Sequence, residues 1–449
     1  MLSFVMGMMM IQGDLQAFGP VPSARQLAWH EQEYYAFVHF GPNTFTNKEW
    51  GDGLEDPKVF APTELDTDQW CRVFKEAGMT AVILTAKHHD GFCLWPSNFS
   101  THTVAKSGYD GDVLGSLAKS CKKYGLKLGV YLSPWDRNHP KYGMEEYNDI
   151  FVKMLEEVLG NYGEVFEVWF DGANGEGPNG KKQFYDFDRF NETVRRLQPG
   201  AVIFSDAGPD IRWVGNEAGY AGETNWATIN RSRYVPGTPF YEELTVGTMG
   251  GSDWVPAECD VSIRRGWFWR ASEDITVKST EKLMDIWLGS VGRGSSLLLN
   301  VPPDNRGKIS EVDVKALMDF RSARDSLFHA ERKGKYLASS VRGGFENGAE
   351  KWAPADGDKV KKLTLDFGEF EEIGVIDFGE AIALGQRVTG WKVAILGQDG
   401  WYDVAKGTTI GRRRIVRVGD VTARKVVLEI TGSLAVPVID RFRVYQSVE

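Results

Sequence analysis

Val165-Phe166-Glu167-Val168-Trp169-Phe170-Asp171-Gly172 reads as a buried strand that ends in a carboxylate. A short run rich in apolar and aromatic residues suits a strand covered on both faces, and the Asp-Gly step after it stops the run. Just upstream, Tyr147, Ile150, Phe151 and Met154 recur at i, i+3, i+4 and i+7, an amphipathic helix that Gly160 closes. The same pairing repeats on both sides. Trp70, Val73, Phe74 and Ala77 form a helical stripe stopped by Gly78; Leu114, Leu117, Ala118 and Cys121 form another stopped by Gly125. Further strand-like runs stand at Tyr35–Phe40, Ala81–Ala86, Lys127–Leu132, Ala201–Ser205, Val261–Trp269 and Ser296–Val301. Strand–helix units at intervals of roughly 35–45 residues predict an α/β fold, a (β/α)8 TIM-like barrel rather than a doubly wound sheet. Its remaining strand is expected in the Gly-rich stretch Gly215–Trp226.

Beyond Ala330 the texture changes. Lys361–Phe367, Glu372–Phe378, Gly390–Leu396, Arg414–Val418, Lys425–Ile430 and Ile439–Val444 are short strand-like runs between Gly/Asp-rich turns, with no amphipathic helix among them. They predict a C-terminal antiparallel β-sandwich. The expected division is a barrel over residues 20–335 and a sandwich over 336–449, joined through Arg332–Val341.

Composition narrows the function. The chain has 449 residues, 42% of them hydrophobic and 25% charged, and a net charge of −10. No uncharged apolar run reaches the roughly 18–20 residues of a membrane span. The longest basic block is Arg412-Arg413-Arg414, too little for a phosphate-backbone partner, so nucleic acid is not expected. Cys71, Cys93, Cys121 and Cys259 show no metal-ligand spacing, and neither zinc nor a disulfide framework is expected. Met1–Ile11 is apolar like the centre of a signal peptide and Leu15-Gln16-Ala17 is a passable small-residue end, although no Lys or Arg precedes Arg25. A periplasmic or secreted location is the expectation.

In such a barrel, catalysis sits where the strands end. Here they end in Val38-His39-Phe40-Gly41, Lys87-His88-His89-Asp90, Ser133-Pro134-Trp135-Asp136 and Phe170-Asp171-Gly172. A lone Asp there could simply cap its loop; polar residues at four ends weigh against that. Paired carboxylates suit glycoside cleavage, one ionised at the anomeric carbon and one held protonated to serve the leaving oxygen. Asp171 is the candidate for the first role. Glu217, beside Trp213 in a Gly-flanked loop, is the candidate for the second, with Glu223 and Glu258 as competitors. His88 and His89 lack a third ligand at useful spacing, so they read as neutral donors to sugar hydroxyls rather than a metal pair.

Together, Val38-His39-Phe40-Gly41, Glu49-Trp50, Lys87-His88-His89-Asp90-Gly91-Phe92, Val168-Trp169-Phe170-Asp171-Gly172 and Leu297-Leu298-Leu299-Asn300-Val301-Pro302 resemble the α-L-fucosidases of glycoside hydrolase family 29. Tyr131–Asn138 and the Gly-Asn-Glu around Glu217 resemble the branch that prefers α-1,3/1,4-linked fucose on branched glycans. The resemblance implies Asp171 as nucleophile and Glu217 as acid/base of a retaining double displacement. It also implies His39, Glu49, Trp50, His88, His89 and Tyr131 as residues that hold the fucose ring. Trp135 and Trp213 are expected to shape the aglycone side. No cofactor or metal is implied; the partner is a fucosylated oligosaccharide or glycoprotein glycan. The C-terminal region resembles a galactose-binding-like (discoidin) sandwich. The alternatives are a retaining hydrolase for a different hexose and a non-catalytic glycan-binding protein.

Overall fold

A computed structural model of the chain describes residues 15–237, 241–348 and 350–446. Eight parallel strands close a barrel in sequence order: β1 (Tyr34–Val38), β2 (Ala81–Lys87), β3 (Lys127–Leu132), β4 (Val165–Trp169), β5 (Val202–Ser205), β6 (Ile211–Trp213), β7 (Ala257–Ser262) and β8 (Ser296–Asn300). Their side chains alternate, as strand geometry requires. Tyr35, Phe37, Ile83, Tyr131, Trp169, Phe204, Ile211 and Leu298 pack together inside the barrel. Tyr34, Ala36, Val38, Val82, Leu84, Val130 and Val168 belong instead to the layer beneath the helices. Those helices begin on caps the sequence supplies. Asp66, Asp112 and Asp186 accept from the N–H of Gln69, Gly115 and Arg189 at 2.9, 2.8 and 3.2 Å. Such a cap contributes about 1 kcal/mol. Among the described residues no helix is long and apolar enough to cross a membrane.

Two barrel strands lie away from their expected places. The strand sought in Gly215–Trp226 is β6, immediately upstream and only three residues long. The strand expected at Val261–Trp269 begins at Ala257 and ends at Ser262. It stops because the Arg264 guanidinium turns the chain outward, bonding Asp313 at 2.9 Å, Asp274 at 2.8 Å and Ser310 at 2.9 Å.

The C-terminal region is one antiparallel sheet of six strands: β9 (Lys335–Ala338), β10 (Lys362–Glu380), β11 (Val388–Gly397), β12 (Gly400–Gly407), β13 (Arg414–Ser433) and β14 (Ile439–Tyr445). Four of the expected short strands are two long ones. The glycines read as turns, Gly368 and Gly419, have φ of +84° and +74° and sit at irregularities inside the β10–β13 ladder. A bent ladder places both halves of each strand on one core. Leu363 and Leu365 from one half of β10, Ile376 and Phe378 from the other, share it with Val393, Val426 and Phe442. The segment expected as connection contains β9, which pairs with β10.

The sheet is seated firmly on the barrel. Val375, Ile415 and Tyr445 belong to the barrel's own apolar cluster, and Arg413 bridges Glu33 at 2.7 Å to Asp377 at 2.9 Å. Met1–Ile11, on which the expectation of export rests, lies outside the described residues. The following segment packs on the sheet: Arg387 donates to the Gln16 carbonyl at 2.7 Å, and Phe18 N–H to the Leu384 carbonyl at 3.0 Å.

Candidate active site

Asp171 stands two residues beyond Trp169, so it continues the inward register of Glu167 and Trp169 into the barrel mouth. Both of its oxygens meet donors. Tyr131 Oη donates to Oδ2 at 2.9 Å and the Ala173 N–H to Oδ1 at 2.8 Å, and His89 Nε2 stands 3.7 Å from Oδ2. Asp171, Glu217, Trp50, Trp169, Trp213 and Lys182 line one cavity of about 540 Å³. The two carboxylates selected from sequence therefore face the same space.

Glu217 meets one donor among the described residues, the Trp267 indole N–H at 3.3 Å. Burial pushes its carboxyl up, with Asp171 and Glu49 pushing the same way and the Trp267 bond opposing them. A shift in this direction is the one a general acid requires. The competitors are placed elsewhere. The Glu223 side chain is 89% exposed, at the junction with the sheet, 3.7 Å from Arg293. Glu258 is fully buried in the barrel interior, bonded by Tyr35 Oη and, at 2.9 Å, by Trp169 Nε1.

Glu258 forms a buried carboxyl pair with Glu167, whose Oε2 accepts from Trp29 Nε1 at 3.2 Å. Burial first, then its partner's charge, pushes Glu167 well above the ordinary carboxylate range; burial also raises Glu258. A group raised in the folded state contributes stability below its unfolded pKa of about 4.5 and loses it as pH climbs through the folded value. Glu167→Gln cannot ionise, so its melting temperature should fall less between pH 5 and pH 9 than that of the wild type. A difference on the order of 2 °C is expected, and equal slopes in thermal melts would refute it.

The three histidines are neutral donors or acceptors rather than cations. Burial brings His39 down to about 3 and His89 down to about 4, and carries His88 well below its ordinary value. His39 Nδ1 lies 2.8 Å from Asn300 Oδ1 and His89 Nδ1 lies 2.8 Å from Ser133 Oγ, which fixes both rings. His88 Nδ1 is buried with no hydrogen-bond partner among the described residues, and the ring stacks on Tyr131 at 5.9 Å. An unpaired buried ring nitrogen is costly unless something polar, such as a hydroxyl, comes to it. Among the described residues no three His, Cys, Asp or Glu side chains converge as metal ligands would.

Trp50 is 54% exposed, its ring edge-on to His89 and to Trp135. Trp135 is covered: Gly175 packs on its ring, and its indole N–H donates to the Glu176 carbonyl at 3.0 Å. The loop after Asp171 is accordingly pinned, with Asn174 Nδ2 also bonded to the Gln183 carbonyl at 2.8 Å. Glu49 is held by Arg270 at 2.7 Å and by the Trp267 backbone N–H at 2.6 Å.

Three further residues of the mouth escape sequence reasoning. Asp260, inward-facing on β7, accepts from Trp213 Nε1 at 2.8 Å and is driven well above the carboxylate range by burial and by Glu217. Asp206 is pushed up to about 6 by burial, with Asp171 adding and the Gly237 N–H opposing. Both line the cavity. Trp267 packs on His39 at 5.0 Å and holds Glu217. Asp260 had a signal, the i, i+2 alternation from Glu258; Asp206 and Trp267 had none.

Comparison with known proteins places the chain in a family. The family model for alpha-L-fucosidases matches residues 20–321. Alpha-L-fucosidase 1 of Arabidopsis thaliana is 43% identical over 446 residues, covering 95% of this chain and 87% of the relative. The crystal structure of SpGH29 superposes with a TM-score of 0.92 at 37% identity, covering 97% of this chain and 100% of the other. A family 29 fucosidase of Ruminococcus gnavus, solved in complex with fucose, superposes with a TM-score of 0.88 at 31% identity, covering 98% of this chain and 97% of the other. The strand order, the carboxylates at the barrel mouth and these likenesses have one reading: the chain belongs to the alpha-L-fucosidase family, glycoside hydrolase family 29.

Proposed function

We propose that this α-L-fucosidase removes terminal α-1,3/1,4-linked fucose from branched glycans with retention of configuration. The observation that carries the reading is the shared cavity, in which Asp171 meets two hydrogen-bond donors while burial raises the Glu217 carboxyl. In the first step an Asp171 oxygen forms a bond to the anomeric carbon as the glycosidic C–O bond breaks, and Glu217 gives its proton to the departing oxygen. In the second, Glu217 takes a proton from water, the water oxygen bonds the anomeric carbon, and Asp171 leaves as a carboxylate. His39, His88 and His89 serve the ring hydroxyls, with the unpartnered His88 Nδ1 supporting that role.

Trp50 and Trp213 line the cavity that Asp171 and Glu217 share and offer flat apolar faces to a second sugar. Contacts to that sugar raise kcat when they form mainly in the transition state, and an aryl fucoside cannot make them. The expected result is a kcat/KM on a Lewis-type trisaccharide at least about tenfold above those on 2′-fucosyllactose and on an aryl fucoside, roughly 1.4 kcal/mol of added transition-state binding. Comparable values on all three would remove the branched-glycan reading and leave the fucosidase activity untouched.

A further inference from the structure

The loop that carries Glu217 is fixed from two sides, and one of them is the C-terminal sheet. Its outgoing arm belongs to the barrel: the Val214 N–H donates to the Glu258 carbonyl at 3.0 Å, and Thr245 Oγ1 to the Val214 carbonyl at 2.7 Å. Its tip is folded by Asn216, which bonds the Tyr220 carbonyl at 2.9 Å and the Ala218 N–H at 3.1 Å. The return arm is held first by the barrel, where the Ala221 N–H donates to the Gly289 carbonyl at 2.9 Å and Arg293 to the Ala221 carbonyl at 2.7 Å, and from Glu223 onward by the sheet. Thr409 Oγ1 accepts from the Asn225 N–H at 2.9 Å, and Gln386 accepts from the Ala227 N–H at 2.7 Å while donating to the Asn225 carbonyl at 2.9 Å. Arg414 donates to the Glu223 carbonyl at 3.0 Å, and the hydroxyls of Thr224 and Thr408 meet at 2.6 Å.

These contacts are not a solvated rim. Thr409 and Gln386 are both buried. Thr409 is itself anchored, its carbonyl accepting from Trp391 Nε1 at 3.0 Å and from Arg414 at 2.7 Å. Glu217, by contrast, meets only the long Trp267 bond among the described residues, so the backbone of its loop decides where its carboxyl stands. A displacement of about 1 Å in a catalytic group can cost on the order of 100-fold in rate.

We propose that the C-terminal sheet sets the position of the acid/base: Thr409 and Gln386 are positioning residues that act on proton delivery through the backbone of the Glu217 loop. The proposal rests on the reading of Glu217 as acid/base. It differs from a purely structural role for the sheet in what it does to different leaving groups. A sugar alkoxide needs the proton and a nitrophenolate does not, so in the first step, which kcat/KM reports, a displaced acid penalises the first and spares the second.

Thr409→Val removes the acceptor and keeps the shape. It should lower kcat/KM on a fucosylated trisaccharide on the order of tenfold, and change kcat/KM on nitrophenyl fucoside, which reports the first step alone, less than twofold. Thr409→Ser should restore the trisaccharide rate. Gln386→Ala should repeat the pattern and carries the comparison if Thr409→Val does not fold. Glu33→Gln removes the ion pair to Arg413, a junction contact that touches no part of the loop; it should leave the ratio of the two rates at the wild-type value. Equal losses on both substrates, no loss, or the same skew in Glu33→Gln would overturn the proposal. Glu217→Ala measured alongside separates the two readings. If it skews the ratio and the sheet variants do not, only the positioning role falls; if it does not, the acid/base reading falls and takes this proposal with it.

Discussion

Asp171→Ala is expected to lower kcat/KM on every fucoside on the order of 10⁴-fold or more, the scale on which removal of a covalent nucleophile acts, while leaving the melting temperature near that of the wild type. The two halves of that expectation have separate causes. The carboxylate accepts from Tyr131 Oη and the Ala173 N–H at the mouth, above the apolar interior that holds the strands together. Its loss removes the attacking atom and little packing. Leaving-group chemistry cannot compensate, because the bond to the anomeric carbon has no other partner. Azide added with an activated aryl fucoside should enter the vacated side and give β-fucosyl azide, with inversion. Ordinary activity in the variant, or an azide product of retained configuration, would end the assignment of Asp171 as nucleophile.

The parts of this protein that were legible in sequence are those whose physics is local. Trp169-Phe170-Asp171 announces a reacting group because it is one of four strand ends that are polar, which weighs against a mere loop cap, and the alternation inside the barrel puts it in the mouth. The helical stripes closed by Gly78 and Gly125 are local in the same sense: both glycines have positive φ, +77° and +67°, as helix ends require. What escaped depends on partners distant in the chain. Trp267 reaches Glu217 from fifty residues away, and it does so because Arg264 turns the chain toward Asp274 and Asp313 just past β7. Asp260 was hidden by a strand read as starting four residues late. In the C-terminal sheet, Gly368 and Gly419 have the composition of turns, and only the pairing of β10 with β13 makes them irregularities inside continuous strands.

Glu217→Ala should divide substrates by leaving group. Burial, with Asp171 and Glu49 nearby, raises the Glu217 carboxyl in the free enzyme, so near neutral pH more of the protein carries the proton than an exposed glutamate would. General acid catalysis of this kind contributes about 10²- to 10⁴-fold, and a glycan with a basic alkoxide leaving group should lose that amount in kcat/KM. A nitrophenyl fucoside leaves without protonation and should lose far less in the first step. Its turnover then becomes limited by the second step, because no base remains to activate water, and fucosyl-enzyme should accumulate. Azide needs no such base. It should restore turnover of the aryl fucoside and give α-fucosyl azide, with retention, the opposite stereochemistry to that expected from Asp171→Ala. The pH profile supplies an independent reading. A carboxyl raised in the folded state keeps its proton to higher pH and loses it as pH rises through its own value, so the alkaline limb of kcat/KM on glycans should belong to Glu217 and vanish in the variant. Equal losses on glycan and aryl fucoside would remove Glu217 from the acid/base role. Of the remaining carboxyls among the described residues, Asp206 and Asp260 share its cavity, whereas Glu258 is sealed in the barrel interior and Glu223 is turned to solvent at the junction.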